Sequence, residues 1–187
     1  MDKTRGGKKK QQEKKHVPWA IKVFFLSVAL SVVLSFLSEE ALEGAGLVPA
    51  FAVLAGFVLL GILFDIIGTA VTAANERPFH SMAAHKVPGA RQALQLIRKA
   101  NQVSSFCNDV VGDICGIISG STAAVIVVRL NEVISIQSVL VSLTITALVS
   151  GMTIGGKALG KTVAIEKSTQ VLQIVGRFLH FFSKRKR

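Results

Sequence analysis

Two carboxylates stand in an otherwise apolar stretch, SSFCNDVVGDICGIISG, from Ser104 to Gly120. Asp109 and Asp113 are four residues apart, which on a helix stacks them on one face. Asn108 adjoins that face, and Gly112, Gly116 and Gly120 form a neighbouring stripe without side chains. The apolar run continues to Val128, long enough to cross a bilayer. An Asp at mid-membrane costs about 2.5–3.5 kcal/mol on insertion scales, so a close pair needs a partner. No Lys or Arg lies between Ser104 and Val128, which leaves a proton, a base on another helix or a metal cation.

A third carboxylate, Asp65, shares a helical face with Thr69 and Thr72 at i, i+4, i+7. Asp65, Thr69, Thr72, Asn108, Asp109 and Asp113 are all oxygen donors. Hard cations such as Mg²⁺ take one or two carboxylates with hydroxyl, carbonyl and water oxygens. Protons compete for the same oxygens, so such a site is expected to weaken as pH falls. A soft-metal site is not expected. Cys107 and Cys115 lie eight apart on one helix, cannot bridge each other within it, and read as buried structural thiols. His80 and His85 read as surface histidines. No nucleophile with a base, no paired acid and base, and no phosphate loop stands out, so an enzyme is not expected.

Composition says what must position these groups. Half of the residues are hydrophobic and only 18% are charged, against a usual share of roughly 25%. The mean hydropathy of +0.52 fits a small polytopic membrane protein better than a soluble domain. A net charge of +11 would suggest nucleic acid in a soluble protein. Here the basic residues fall in blocks between apolar spans, so topology explains them and no nucleic-acid partner is expected.

The expected fold is an all-α membrane protein with four transmembrane helices, two interfacial amphipathic helices and both termini cytoplasmic. Residues 1–16 read as a disordered basic tail. Spans are expected at 17–37, 47–75, 103–128 and 133–156, with Trp19 at an interface and Lys22 in snorkelling reach of it. The three inner segments hold seven, five and eight Lys or Arg, and Arg129 is the single exterior one. SEEALEGAG is acidic and belongs outside; Glu39, Glu40 and Glu43 there are a solvated loop or a cation-gathering entrance. Asp65 then lies in the inner half of its span. Apolar Ala90, Leu94 and Ile97 oppose Arg91, Gln95 and Arg98, which predicts a helix within 80–100 lying on the inner membrane face. A second such helix at 162–182 carries Val171, Leu172, Val175, Phe178, Leu179 and Phe182, and ends in SKRKR. The fourth span is rich in hydroxyls (Ser138, Ser142, Thr144, Thr146, Ser150, Thr153), read mainly as bonds across helices or back to their own carbonyls.

Three stretches resemble a known family. FDIIGTAVTAANERPFHSMAAHKVPGARQALQLIRKANQVSS is similar to the first helix and juxtamembrane helix of the CNNM/CorB–CorC magnesium transporter transmembrane domain. Thr69, Ala70 and Thr72 match its Ser-Glu-Thr-Ala-type motif, with Ile67 and Gly68 at the Ser and Glu positions. VVGDICGI resembles its Ile-Gly-Asn-type motif, with Gly112 kept and Asp113 at the Asn position. KALGKTVAIEKSTQVLQIVGRF resembles the segment leaving the last family helix. The resemblance covers residues 47–182 and leaves 17–37 as an extra helix in front. It implies a homodimer, a bacterial plasma membrane, and an ion site near helix breaks with Mg²⁺ or Co²⁺ as the bound or transported ion. In larger relatives CBS domains follow; here the chain ends at Arg187, so that part is expected to be missing.

Divalent-cation transport is therefore the leading expectation. A proton- or Na⁺-coupled carrier using the same acids, and a non-transporting scaffold or accessory subunit, are the alternatives. The lipid bilayer is the expected partner, with anionic lipid at the basic tails.

Overall fold

The computed structural model describes residues 3–44, 46–134 and 139–184. Among the described residues every regular element is helical: α1 (Lys3–Leu42), α2 (Leu47–Ala73), α3 (Glu76–Ala84), α4 (Ala90–Arg98), α5 (Ala100–Ser105), a π-helical segment (Phe106–Gly112), α6 (Asp113–Ile134), α7 (Val139–Glu166) and α8 (Ser168–Lys184). Four stretches are long and apolar enough to cross a membrane: Trp19–Leu42, Leu47–Ala73, Ala100–Asn131 and Ser142–Glu166. In hydrocarbon, backbone groups must be satisfied within each segment, and helices do this.

Helix α2 is central and packs against α5, the π segment, α6 and α7. Three apolar clusters run along it. At one end Leu42, Ala50, Leu54, Ala123, Ile126 and Val149 join α1, α2, α6 and α7. The Arg129 guanidinium donates to the Leu42 carbonyl at 2.6 Å in this region. A cation at a helix C-terminus meets the carbonyls that lack intrahelical partners. Midway, Val110, Ile114 and Ile118 pack with Val23, Leu30 and Leu34 of α1. At the other, basic end, Val71, Phe79, Ala93, Leu94, Ile97 and Leu172 knit α2, α3, α4 and α8 together.

That basic end is assembled by local signals. Asn75 caps α3, its side-chain oxygen accepting from the Arg77 amide at 2.9 Å. Gly89 opens α4 with φ +87°, and a Cβ there would strike the backbone of Gly176 and Arg177 on α8. Only a residue without a side chain allows both the left-handed turn and the close crossing.

Several boundaries differ from expectation. The basic segment read as disordered is helical from Lys3, and its Lys, Gln and Glu residues are good helix formers. The acidic loop shrinks because α1 runs to Leu42. The amphipathic helix expected within 80–100 is α4, which starts after the Pro88–Gly89 turn, and a further short helix, α3, precedes that turn. The apolar face of α4 does not lie open to a membrane: Ala90, Ala93, Leu94 and Ile97 are buried among protein side chains. The fourth span continues past Gly156 to Glu166, so the last helix begins at Ser168 instead of 162. Ser138 and residues 185–187 lie outside the described residues.

Candidate cation site

Asp65 is 4% exposed, in the middle of the most crowded part of α2. Two glycines put it there. A Cβ at Gly61 would come within 3.2 Å of Cys115 Cβ, so α2 presses on α6 one turn before Asp65. A Cβ at Gly68, just after it, would fall on the amide of Asn108, 2.8 Å from Cγ. The backbone of α2 around Asp65 is therefore pressed against α6 on one side of it and the π segment on the other.

Asn108 belongs to that segment. Its Nδ2 donates to Ser104 Oγ at 3.3 Å, one turn back, which turns Oδ1 toward Gly68. Buried Oδ1 has no hydrogen-bond partner, and neither has Asp65 Oδ2. A third such atom, Thr122 Oγ1, is further along α6. Unsatisfied buried acceptors are rare and cost about 1–3 kcal/mol each. Such acceptors can take a positive charge or a proton. π turns interrupt the regular helix ladder and recur at functional sites.

Two ammonium groups approach from α7. Lys161 Nζ is 3.9 Å from Asp65 Oδ2, and Lys157 Nζ is 3.5 Å from the carbonyl oxygen of Gly112 at the end of the π segment. Both lysines were expected to stand in the cytoplasm beyond a span ending at Gly156. Because α7 continues, Lys161 stands beside the acid, so Asp65 does have a base next to it. The signal in the sequence is the repeat GKALGK, which sets each lysine beside a glycine on one helix face.

The other expected ligands are distributed differently. Thr69 is half-buried, and its carbonyl accepts from Thr72 Oγ1 at 2.8 Å. Thr72 itself is exposed, its hydroxyl bonded to its own helix. Asp109 and Asp113 share a flank, as their spacing requires, but both are exposed and point away from the packed interior. Among the described residues no three His, Cys, Asp or Glu side chains are grouped to hold a metal. Of the expected ligands, Asp65 and Asn108 are the two with buried oxygens that lack a hydrogen-bond partner.

Of the residues read as non-ligands, Cys107 and Cys115 are free and buried. His80 is exposed and does have an acidic companion, Glu76, one turn back at 3.4 Å. Glu39, Glu40 and Glu43 line an open pocket with Phe36 at the end remote from the basic helices.

Comparison with protein-family models, with curated proteins and with solved structures finds no match to this chain. The residues themselves carry the functional argument.

Proposed function

We propose that the protein is a membrane transporter of a divalent cation, Mg²⁺ or Co²⁺, that binds the ion at Asp65. The observation that carries the reading is two buried oxygens without hydrogen-bond partners, Asp65 Oδ2 on α2 and Asn108 Oδ1 where the π segment meets Gly68 of the same helix. Asp65 supplies the charge, and Asn108 and Thr69 supply neutral oxygens. Water completes the shell, as Mg²⁺ usually requires. The resemblance of residues 47–182 to the CNNM/CorB–CorC domain supports the same ion.

In this reading the basic end, with Arg77, Lys86, Arg91, Arg98 and Lys99, faces the cytoplasm, and both termini lie on that side. A second copy of the chain covers the flank that carries Asp109, Asp113, Gly116 and Gly120. All four are exposed in the single chain, and carboxylates left facing hydrocarbon are costly. Small residues at i, i+4 let two helices approach closely.

A Na⁺- or proton-coupled carrier is the second reading. It is favoured by Asp65 being the single buried carboxylate among the described residues, whose one charge balances a monovalent ion. Isothermal titration of purified protein with Mg²⁺, Ca²⁺ and Na⁺ separates the two. The expected result is saturable Mg²⁺ binding that falls about 10–100-fold in Asp65→Asn, in the range seen when groups supporting a metal site are lost. Na⁺ heats in place of Mg²⁺ heats would favour the second reading. Equal heats in wild type and Asp65→Asn would remove Asp65 from the site and leave a scaffold role.

A further inference from the structure

We propose that the Lys161 ammonium is a tethered counter-ion holding the cation's place beside Asp65, so that a bound metal ion and the Lys161–Asp65 pair exclude each other. The inference rests on Asp65 being an ion ligand, and it adds what occupies the site when the ion is gone.

The geometry of α7 supports it. A Cβ at Gly156 would meet Ile62 Cδ1 at 2.5 Å, and one at Gly160 would meet Ile66 Cγ1 at 2.9 Å. The backbone of α7 therefore lies directly on α2, and the residue after each glycine reaches around the contact. Lys161 arrives at Asp65 and Lys157 at the Gly112 carbonyl. At 3.9 Å the Lys161 pair is too long for the directed bond of an ammonium and carboxylate, which settles near 2.7–2.9 Å. Asp65 thus gains attraction from Lys161 while its Oδ2 stays without a hydrogen bond.

The two partners also differ in their freedom. The Asp65 side chain is 6% exposed, whereas that of Lys161 is 54% exposed. Lys161 has a flexible four-carbon stem and a strongly hydrated head, so it can swing outward without any helix moving. Asp65 cannot leave. A metal ion and an ammonium beside one carboxylate repel each other, and the divalent ion has the stronger attraction. Arrival of the ion expels Lys161; departure of the ion lets it return, so the buried acid is never left without a positive neighbour. Measured affinity is then lower than the intrinsic affinity by the fraction of molecules whose lysine is out.

Two measurements on the full chain test this. In the first, wild-type protein is treated briefly with an amine-acylating reagent at constant ionic strength, with and without saturating Mg²⁺, and modified lysines are quantified by mass spectrometry. Lys161 is expected to react several-fold faster with Mg²⁺, while Lys167, exposed near the end of α7, serves as the unchanged reference. In the second, Lys161→Gln is expected to bind Mg²⁺ about tenfold more tightly than wild type, the change expected if the lysine is out in about a tenth of molecules. Lys161→Arg, which keeps the charge, should stay near wild type. Mg²⁺ binding by Lys161→Gln where wild type shows none would also support the exclusion. The inference fails, with the ion site intact, if Asp65→Asn abolishes binding while Lys161→Gln binds no more tightly than wild type and Lys161 acylation ignores Mg²⁺. Absence of Mg²⁺ binding in wild type and Lys161→Gln alike would overturn the ion-site reading and this inference together.

Discussion

A methyl group added at Gly68 would land on the Asn108 amide, and that amide is held from behind by Ser104. Gly68→Ala must therefore rotate Asn108 or part α2 from the π segment. Overpacking of this kind costs roughly 1–3 kcal/mol, so the variant should melt earlier and lose Mg²⁺ affinity in titration. The paired carboxylates give the contrasting test. Asp109→Asn with Asp113→Asn leaves the interior untouched, and in purified protein its Mg²⁺ affinity should stay within about threefold of wild type, while Asp65→Asn loses far more. An equal loss in both would show that the outward acids also bind the ion. The sequence made every one of these oxygens visible by type and spacing. What it withheld was direction. Spacing puts Asp109 and Asp113 on one face but does not say whether that face turns toward α2 or away from it. Lys161 was hidden for a different reason: counting basic residues by side assigns it to water, whereas its long stem lets it serve a buried acid from a helix edge.

At the scale of elements, the α4–α8 crossing has the tightest backbone approach of the basic end. Gly176→Ala would place a Cβ 3.2 Å from the Gly89 carbonyl carbon and 3.3 Å from Ala93 Cβ. Gly89→Ala adds an unfavourable positive φ to a backbone clash. Each should destabilise the packing of α8 by about 1–3 kcal/mol, measured as faster proteolysis near residues 168–184 with the spans still intact. The amphipathic pattern of α4 was legible, since it needs only a period near 3.6. Its covering was not, because protein and lipid satisfy an apolar face equally well in sequence terms. The π segment was invisible for a deeper reason. No residue type in FCNDVVG marks a wider turn, and the elements packed against the segment, α2 and α1, are distant in sequence.

For the whole molecule, the four apolar spans were readable because hydrocarbon thickness imposes about 20 apolar residues on each crossing. Their orientation is tested by single cysteines in the background lacking Cys107 and Cys115. A cysteine at Glu43 should react with an impermeant maleimide from outside, and one at His85 should not; reversed labelling would invert the arrangement. Assembly is tested at Gly116, where an added Cβ meets nothing within 4 Å. Gly116→Leu should leave the melting temperature of the single chain nearly unchanged, within about 0.5 kcal/mol, yet reduce cross-linked dimer in membranes. An unaltered cross-linking yield would place the contact between copies elsewhere.

The spans also differ in how much of themselves they hide. None of the most apolar window of Trp19–Leu42 is buried inside the chain, whereas 61% of that of Ala100–Asn131 is. Along its length the first helix meets its neighbours through Val23, Leu30 and Leu34, and at its end through Leu42. Saturation mutagenesis should therefore yield two unlike landscapes. Along 19–37 almost any apolar letter will be accepted, because lipid does not discriminate shapes. Along 107–127 the alphabet will narrow to the native residue or its nearest isostere. The first helix is free to drift under mutation as a lipid-facing coat, and the inner one records the constraint of the site it carries.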